Sequence, residues 1–300
     1  MKRIGTIIFS ALLTIAASAQ RQDCLPQPVL GNPSGTAPYF FGPSAFPVPD
    51  MLKNTTGRFS FQLNGAYSAG HLAATQDHTA TLGFRIVAPL WTDRANLSLY
   101  GQMHEWYWDT PEVRAMRRVS PEYALNDHCS GDVYFSVDMR ILQERRAVPC
   151  LTLRAALKSA SGDDYEKARF YDSPGYFFDA CATKTLLFRH GGFFQSLSAS
   201  VSGGFICWQT DIGCQNDALM YAGSVELDTR LFDASVELGG YHGREKYYDS
   251  PVTCKFRVEF LKGGTVSPML QYQLGLKDWP FHQFMLGLTY SPRKTISELF

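Results

Sequence analysis

The sequence predicts an all-β protein: an antiparallel transmembrane β-barrel of about twelve strands, preceded by a signal peptide and a proline-rich arm. Three observations carry that expectation. Apolar and polar residues alternate with period two in stretch after stretch, the connections between stretches alternate long and short, and aromatic side chains gather where the stretches end.

Residues 1–19 come first. Lys2 and Arg3 precede an apolar run from Ile4 to Ala16, and Ala17-Ser18-Ala19 precedes Gln20. A basic head, a short apolar core and an A-x-A site make a secretory signal peptide cleaved before Gln20. The run is shorter than the ~20 residues a membrane-spanning helix needs. Arg21-Gln22-Asp23 ahead of Cys24 lacks the small residues that lipidation requires. With no later apolar stretch of helix-spanning length, membrane residence requires a closed barrel, because every backbone group must be bonded in hydrocarbon.

Residues 20–57 read as a periplasmic arm or plug. Prolines recur at 26, 28, 33, 38, 43, 47 and 49, which cannot feed a sheet ladder. The segment precedes the first ascending strand, hence the periplasmic expectation, and Phe40, Phe41, Phe46 and Met51 give it apolar groups with which to dock.

Residues 58–300 carry the strands. In "RFSFQLNGAYS", from Arg58, the residues Phe59, Phe61, Leu63 and Tyr67 alternate with Ser60, Gln62, Asn64 and Ser68, the mark of a strand wet on one face. Farther on, Val133, Phe135, Val137, Met139 and Ile141 oppose Asp132, Tyr134, Ser136, Asp138 and Arg140. Leu151, Leu153 and Leu157 oppose Thr152, Arg154 and Lys158, and Val252, Phe256 and Val258 oppose Thr253, Lys255, Arg257 and Glu259. Connections such as Asp109 to Cys129 and Ser161 to Pro174 are long, whereas "WTDR", "HGG" and "KGG" are short. Long extracellular loops opposite tight periplasmic turns are how such barrels are built, with aromatic girdles at both interfaces.

Two long connections share a phrase, "EKARFYDSPGYFF" from Glu166 and "EKYYDSPVTCKF" from Glu245. Proline after Asp-Ser stops one ladder and sets the turn into the next strand. The neighbouring tyrosines suit a water-membrane boundary, and the Glu-Lys pairs read as solvated loop charges.

Side-chain parity sends Arg85, Asp132, Asp138, Arg140, Arg154, Lys158, Asp179, Glu226, Asp228, Glu237, Lys255, Arg257 and Glu259 into the lumen. Counting down from loop ends pairs Lys158 with Asp179, Arg154 with Asp138 and Arg257 with Glu237, each pair stabilising the sheet by roughly 0.2–1 kcal/mol. The whole chain balances 28 basic against 28 acidic residues, which gives no nucleic-acid footprint.

Seven cysteines are present. Cys207 and Cys214 flank a short extracellular loop and are expected to form a disulfide; Cys129 and Cys150 fall at opposite strand ends and cannot. Asp127-His128-Cys129 is the nearest approach to a metal site but reads as solvated polar residues, so no metal and no cofactor is expected.

The phrases "FGPSAFPVPDML" (Phe41 to Leu52), "LRAALKSASGDDYEKARFYDSPGYFFD" (Leu153 to Asp179) and "PFHQFMLGLTY" (Pro280 to Tyr290) resemble porin-like outer-membrane barrels of the Bacteroidota. The resemblance implies a place in the outer membrane of a Gram-negative bacterium, in contact with its lipids. It also implies a terminal aromatic, Phe300, read by the barrel-assembly machinery. The last clear strand ends near Tyr290, leaving "SPRKTISELF" to lengthen it or trail behind.

Three functions fit. A mixed-charge lumen makes a small porin-like channel for polar or zwitterionic solutes; a salt-bridged interior makes a plugged structural or partner-binding barrel. A lipid hydrolase needs Ser and His within hydrogen-bond reach at the lipid-facing rim, for which His242 with Ser250, or His104, are the candidates. No catalytic residue is assigned.

Overall fold

The computed structural model describes residues 41–52, 57–70, 77–90, 94–117, 119–188, 192–209, 217–243, 250–261 and 264–292. Twelve strands close the barrel: β1 (Ser60–Gly70), β2 (His78–Pro89), β3 (Ala95–Trp108), β5 (Val133–Leu142), β6 (Cys150–Lys158), β7 (Gly175–Phe188), β8 (Phe194–Cys207), β9 (Ala218–Thr229), β10 (Phe232–Gly243), β11 (Val252–Phe260), β12 (Val266–Lys277) and β13 (Phe281–Tyr290). A thirteenth, the short β4 (Asn126–Cys129), pairs with the upper end of β3, above the point where β5 leaves it.

Closure is explicit in the register. β1 pairs with β2 on one side and with β13 on the other, with Ala69 opposite both His78 and His282. Every barrel pairing is antiparallel, so no edge is left to the bilayer and each ladder group is bonded to a neighbour.

Period-two patterning is what makes this closure possible. In β12, Leu270 is exposed while its neighbours Met269 and Gln271 are buried, and Val201 of β8 and Leu286 of β13 are 65% and 66% exposed on the outer face. Asp138, Arg154, Asp179 and Lys255 are buried on the inner one. Only a bilayer accommodates apolar side chains outside and charges inside. A bulge between β2 and β3 at Leu82/Gly83 shifts parity in the top of β3, turning Glu105 and Tyr107 inward and Trp106 and Trp108 outward. Gly204 lets β8 press against the Phe178 carbonyl of β7, where any Cβ would collide.

Among the described residues, helical structure is confined to the long-loop end. α1 (Pro111–Met116) is capped by the Thr110 side chain, which accepts from the Val113 N–H at 3.3 Å. A 3-10 turn spans Tyr165–Lys167.

If the outer face meets lipid, Leu270→Arg, near the middle of β12, is expected to destabilise the folded barrel by about 2–4 kcal/mol. Equilibrium unfolding in lipid vesicles checks this, and a change below 1 kcal/mol would place that face in water.

Candidate functional site

Residues 41–52 of the proline-rich segment lie inside the barrel. Phe41 sits at the long-loop end and Met51 and Leu52 lie farther down, packed with Cys181 of β7 and partly buried Ala222 of β9. The sequence reads this segment as a periplasmic arm or a plug, and the described part runs along the lumen. The reason lies in its bonding, since prolines leave it no ladder and the inner wall offers donors and acceptors along its length.

At the mouth the arm meets aromatic side chains. Phe41 and Phe46 form a cluster with Tyr171, Trp208 and Tyr241, with Phe41–Tyr171 and Phe46–Tyr171 ring centroids 5.4 and 5.7 Å apart. The backbone is held too. The Gly42 N–H donates to the Ala168 carbonyl at 3.0 Å, Trp279 Nε1 to the Pro43 carbonyl at 3.2 Å and the Tyr241 hydroxyl to the Phe46 carbonyl at 3.3 Å.

Above the cluster lies a buried ionic network. Arg169 donates to Glu105 Oε1 at 2.6 and 2.8 Å, to Asp77 at 3.0 Å and to Thr79 Oγ1 at 2.7 Å, with its guanidinium over the Tyr107 ring. Arg117 donates to Asp77, to Asp109 at 3.1 Å and to the Phe41 carbonyl at 3.2 Å. Gly42 packs flat on Arg169, where a Cβ would strike the guanidinium. Burial opposes ionisation of Asp77, but Arg169 and Arg117 outweigh it and hold the carboxyl well below the usual carboxylate range. Burial dominates at Asp109 and pushes its carboxyl up despite Arg117.

None of Asp77, Glu105, Asp109, Arg117 and Arg169 stood out in the sequence as a site residue. The first Tyr-Asp-Ser-Pro phrase differs from its expected role as well. Arg169, Phe170 and Tyr171 fold inward under the mouth instead of standing at a membrane boundary, and Lys167 bonds Asp127 at 2.6 Å. Of the second Tyr-Asp-Ser-Pro, only Ser250 and Pro251 are described.

Asp132, Asp138, Arg154, Lys158, Asp179 and Lys255 are buried, and two of the three expected pairs are out of register. Lys158 stands opposite Gly175, not Asp179, and its ammonium bonds Asp132 at 2.7 Å. Arg154 is in register with both Asp138 and Asp179; its guanidinium bonds Asp179 at 2.7 and 3.1 Å, while Asn96 donates to Asp138 at 3.3 Å. Arg257 faces Ser235, and Glu237 faces Lys255 at 3.6 Å. Loop-end counting slipped the Lys158 and Arg257 registers because adjoining strands start at unequal heights, whereas Arg154 and Asp138 stand opposite each other as counted. Toward the short-turn end, Asp233 stands opposite Asp228 on one side and Glu259 on the other, an acidic row near Glu226 of β9. Arg140 lies low on β5, opposite Thr152.

Midway down, Asp50 of the arm meets three wall cations. Its Oδ1 accepts from Lys255 Nζ at 2.7 Å, and its Oδ2 lies 3.4 Å from Arg85 Nη2 and 3.5 Å from Arg257 Nη2. The Met51 N–H donates to Glu237 Oε1 at 3.1 Å, and Lys255 also donates to the Val48 carbonyl at 3.1 Å.

At the outer rim, His242 Nδ1 and Ser250 Oγ are in hydrogen-bond contact, as the sequence suggests, and Asp278 accepts from the Ser250 backbone N–H at 3.0 Å. His104 packs edge-on against Trp106. Among the described residues no group of three or more His, Cys, Asp or Glu could hold a metal ion. Cys207 is buried at the top of β8, and Cys214 lies outside the described residues.

No family model and no curated protein matches the sequence. Solved structures share the barrel. The COG4313 outer membrane channel from Pseudomonas putida F1 aligns with a TM-score of 0.55 at 12% identity, covering 81% of this chain and 97% of that one. The KdgM porin aligns at 0.48 and 10% identity, covering 78% and 99%, and the NanC porin at 0.47 and 10%, covering 77% and 98%. The chain therefore has a porin-like fold, a closed twelve-strand barrel with one added strand.

Asp77→Asn leaves two buried guanidiniums short of a carboxylate and is expected to cost about 3–5 kcal/mol. A carboxyl depressed by folding stabilises above its unfolded value near 4 and loses that contribution as pH falls toward the folded value. The stability gap between wild type and Asp77→Asn should hold from pH 7 to 5 and shrink below about pH 4. Denaturant titrations across that range measure it, and a gap unchanged at about pH 2 would contradict the pairing.

Proposed function

We propose that this chain is an outer-membrane channel of the porin-like kind, whose lumen is occupied at rest by its own N-terminal arm. One observation carries the reading: residues 41–52 are bonded along the inner wall, while Asp50, Arg85 and Arg257 beside them stay a quarter to a third exposed inside the barrel. A barrel of this size leaves some interior for water, and the arm takes up much of it. Both signs of charge line the remaining passage, which suits small polar or zwitterionic solutes.

The same reading puts the long loops outside the cell and the short turns in the periplasm of a Gram-negative bacterium, with the apolar face in outer-membrane lipid. Export by a signal peptide cleaved before Gln20, kinship with Bacteroidota barrels, recognition of Phe300 by the barrel-assembly machinery and a Cys207–Cys214 disulfide belong to this proposal. A lipid hydrolase is disfavoured because, among the described residues, the His242–Ser250 contact is accompanied by no carboxylate bonded to the imidazole.

Planar-bilayer recording tests the reading. The full mature chain is expected to show small, infrequent current steps, and a variant lacking residues 20–52, confirmed as folded by heat-modifiable gel migration, several-fold larger ones. Silence from both folded proteins would sink the channel and leave a structural or partner-binding barrel.

A further inference from the structure

We infer that the Asp50 carboxylate occupies a binding site for small carboxylate-bearing solutes on the lumen wall, so that arm and solute compete for one cradle; this rests on reading the lumen as a passage. The cradle is built from separate parts of the wall. Arg85 comes from β2, and Lys255 and Arg257 from β11, with β1, β13 and β12 between them in the sheet. Cations so separated along the wall converge on one anion only if that anion stands in the lumen between them.

The cations hold their places through wall partners as well as through Asp50. Arg257 donates to Gln271 Oε1 at 2.6 and 2.8 Å, and the Arg85 guanidinium lies 4.5 Å above the Tyr100 ring. Lys255 reaches Glu237 at 3.6 Å, the one wall carboxylate paired with these three cations among the described residues. With the arm withdrawn, three cations would face one carboxylate. Removing the partner of buried or half-buried charges is costly, so the vacated place favours another anion. A planar carboxylate fits better than a spherical halide, because Arg presents parallel N–H groups to two oxygens.

The arm is suited to imitate such a solute. Asp50 is its single acidic residue between Cys24 and Ser60, and Pro47 and Pro49 stiffen the chain just before it. Its side chain remains 32% exposed, so the cradle is open to the lumen at the point of contact.

Chemical rescue tests the site. In the full chain, Asp50→Ala removes the arm's carboxylate, and acetate or formate should then raise the thermal midpoint saturably. The rise should be about threefold that in wild type, with chloride and acetamide at matched concentration doing little. The double variant Asp50→Ala/Lys255→Gln should lose most of the rescue. If Asp50→Ala does not fold, Asp50→Asn should shift permeability toward anions in a salt gradient. Acetate acting no better than chloride, or equally on wild type, would overturn the site, as would unchanged selectivity in Asp50→Asn. Rescue in a folded protein that carries no current would uphold the site while contradicting the channel; current without rescue would do the reverse.

Discussion

A charge turned into a barrel must find a counter-charge or keep its water, and much of this structure follows from that constraint. Period-two strands exposed to lipid on one face send their polar residues inward whether or not the lumen can solvate them. The wall answers partly with itself, through Arg154 with Asp179 and Lys158 with Asp132. It answers partly with loops, through Arg117 and Arg169 buried at the mouth. For Arg85, Lys255 and Arg257 the further counter-charge comes from outside the strands altogether, from Asp50 on the arm.

That dependence joins two regions distant in sequence. Arg117 holds the Phe41 carbonyl and Gly42 lies on Arg169, so the network that ties down the long loops also fixes the upper end of the arm. Lys255 and Glu237 fix its lower end at Val48, Asp50 and Met51. Between them the aromatic cluster of Phe41, Phe46, Tyr171 and Trp208 supplies apolar burial, which is insensitive to ionic strength. Ionic contacts at both ends and apolar packing between them suit a segment that must stay seated in dilute salt yet remain displaceable by a competing anion.

The barrel was legible in the sequence because lipid on one side and lumen on the other impose a strict alternation, repeated strand by strand, that turns and loops punctuate. Inward-facing charges were legible for the same reason, since parity alone assigns Lys255 or Asp179 a face. Their pairings were not: register depends on where neighbouring strands begin, and Lys158 stands opposite Gly175. The mouth network was hidden more deeply. Asp77 and Asp109 sit in connections and Glu105 turns inward only through a bulge in the β2–β3 pairing, so no periodic signal marks them. Asp50 could have been suspected as the one acid between Cys24 and Ser60, in a proline-rich arm preceding a lumen whose inward residues include arginine and lysine.

Whether the arm occupies the lumen of the membrane-inserted protein is the claim on which the rest turns. Leu52 packs with Cys181 of β7 inside the barrel, so Leu52→Cys offers a direct probe by oxidative cross-linking in lipid vesicles. A disulfide between position 52 and Cys181, formed in high yield in folded protein and lost in Cys181→Ser, is the expected result. Folded barrels in which position 52 reacts freely with a water-soluble thiol reagent and never links to Cys181 would contradict it.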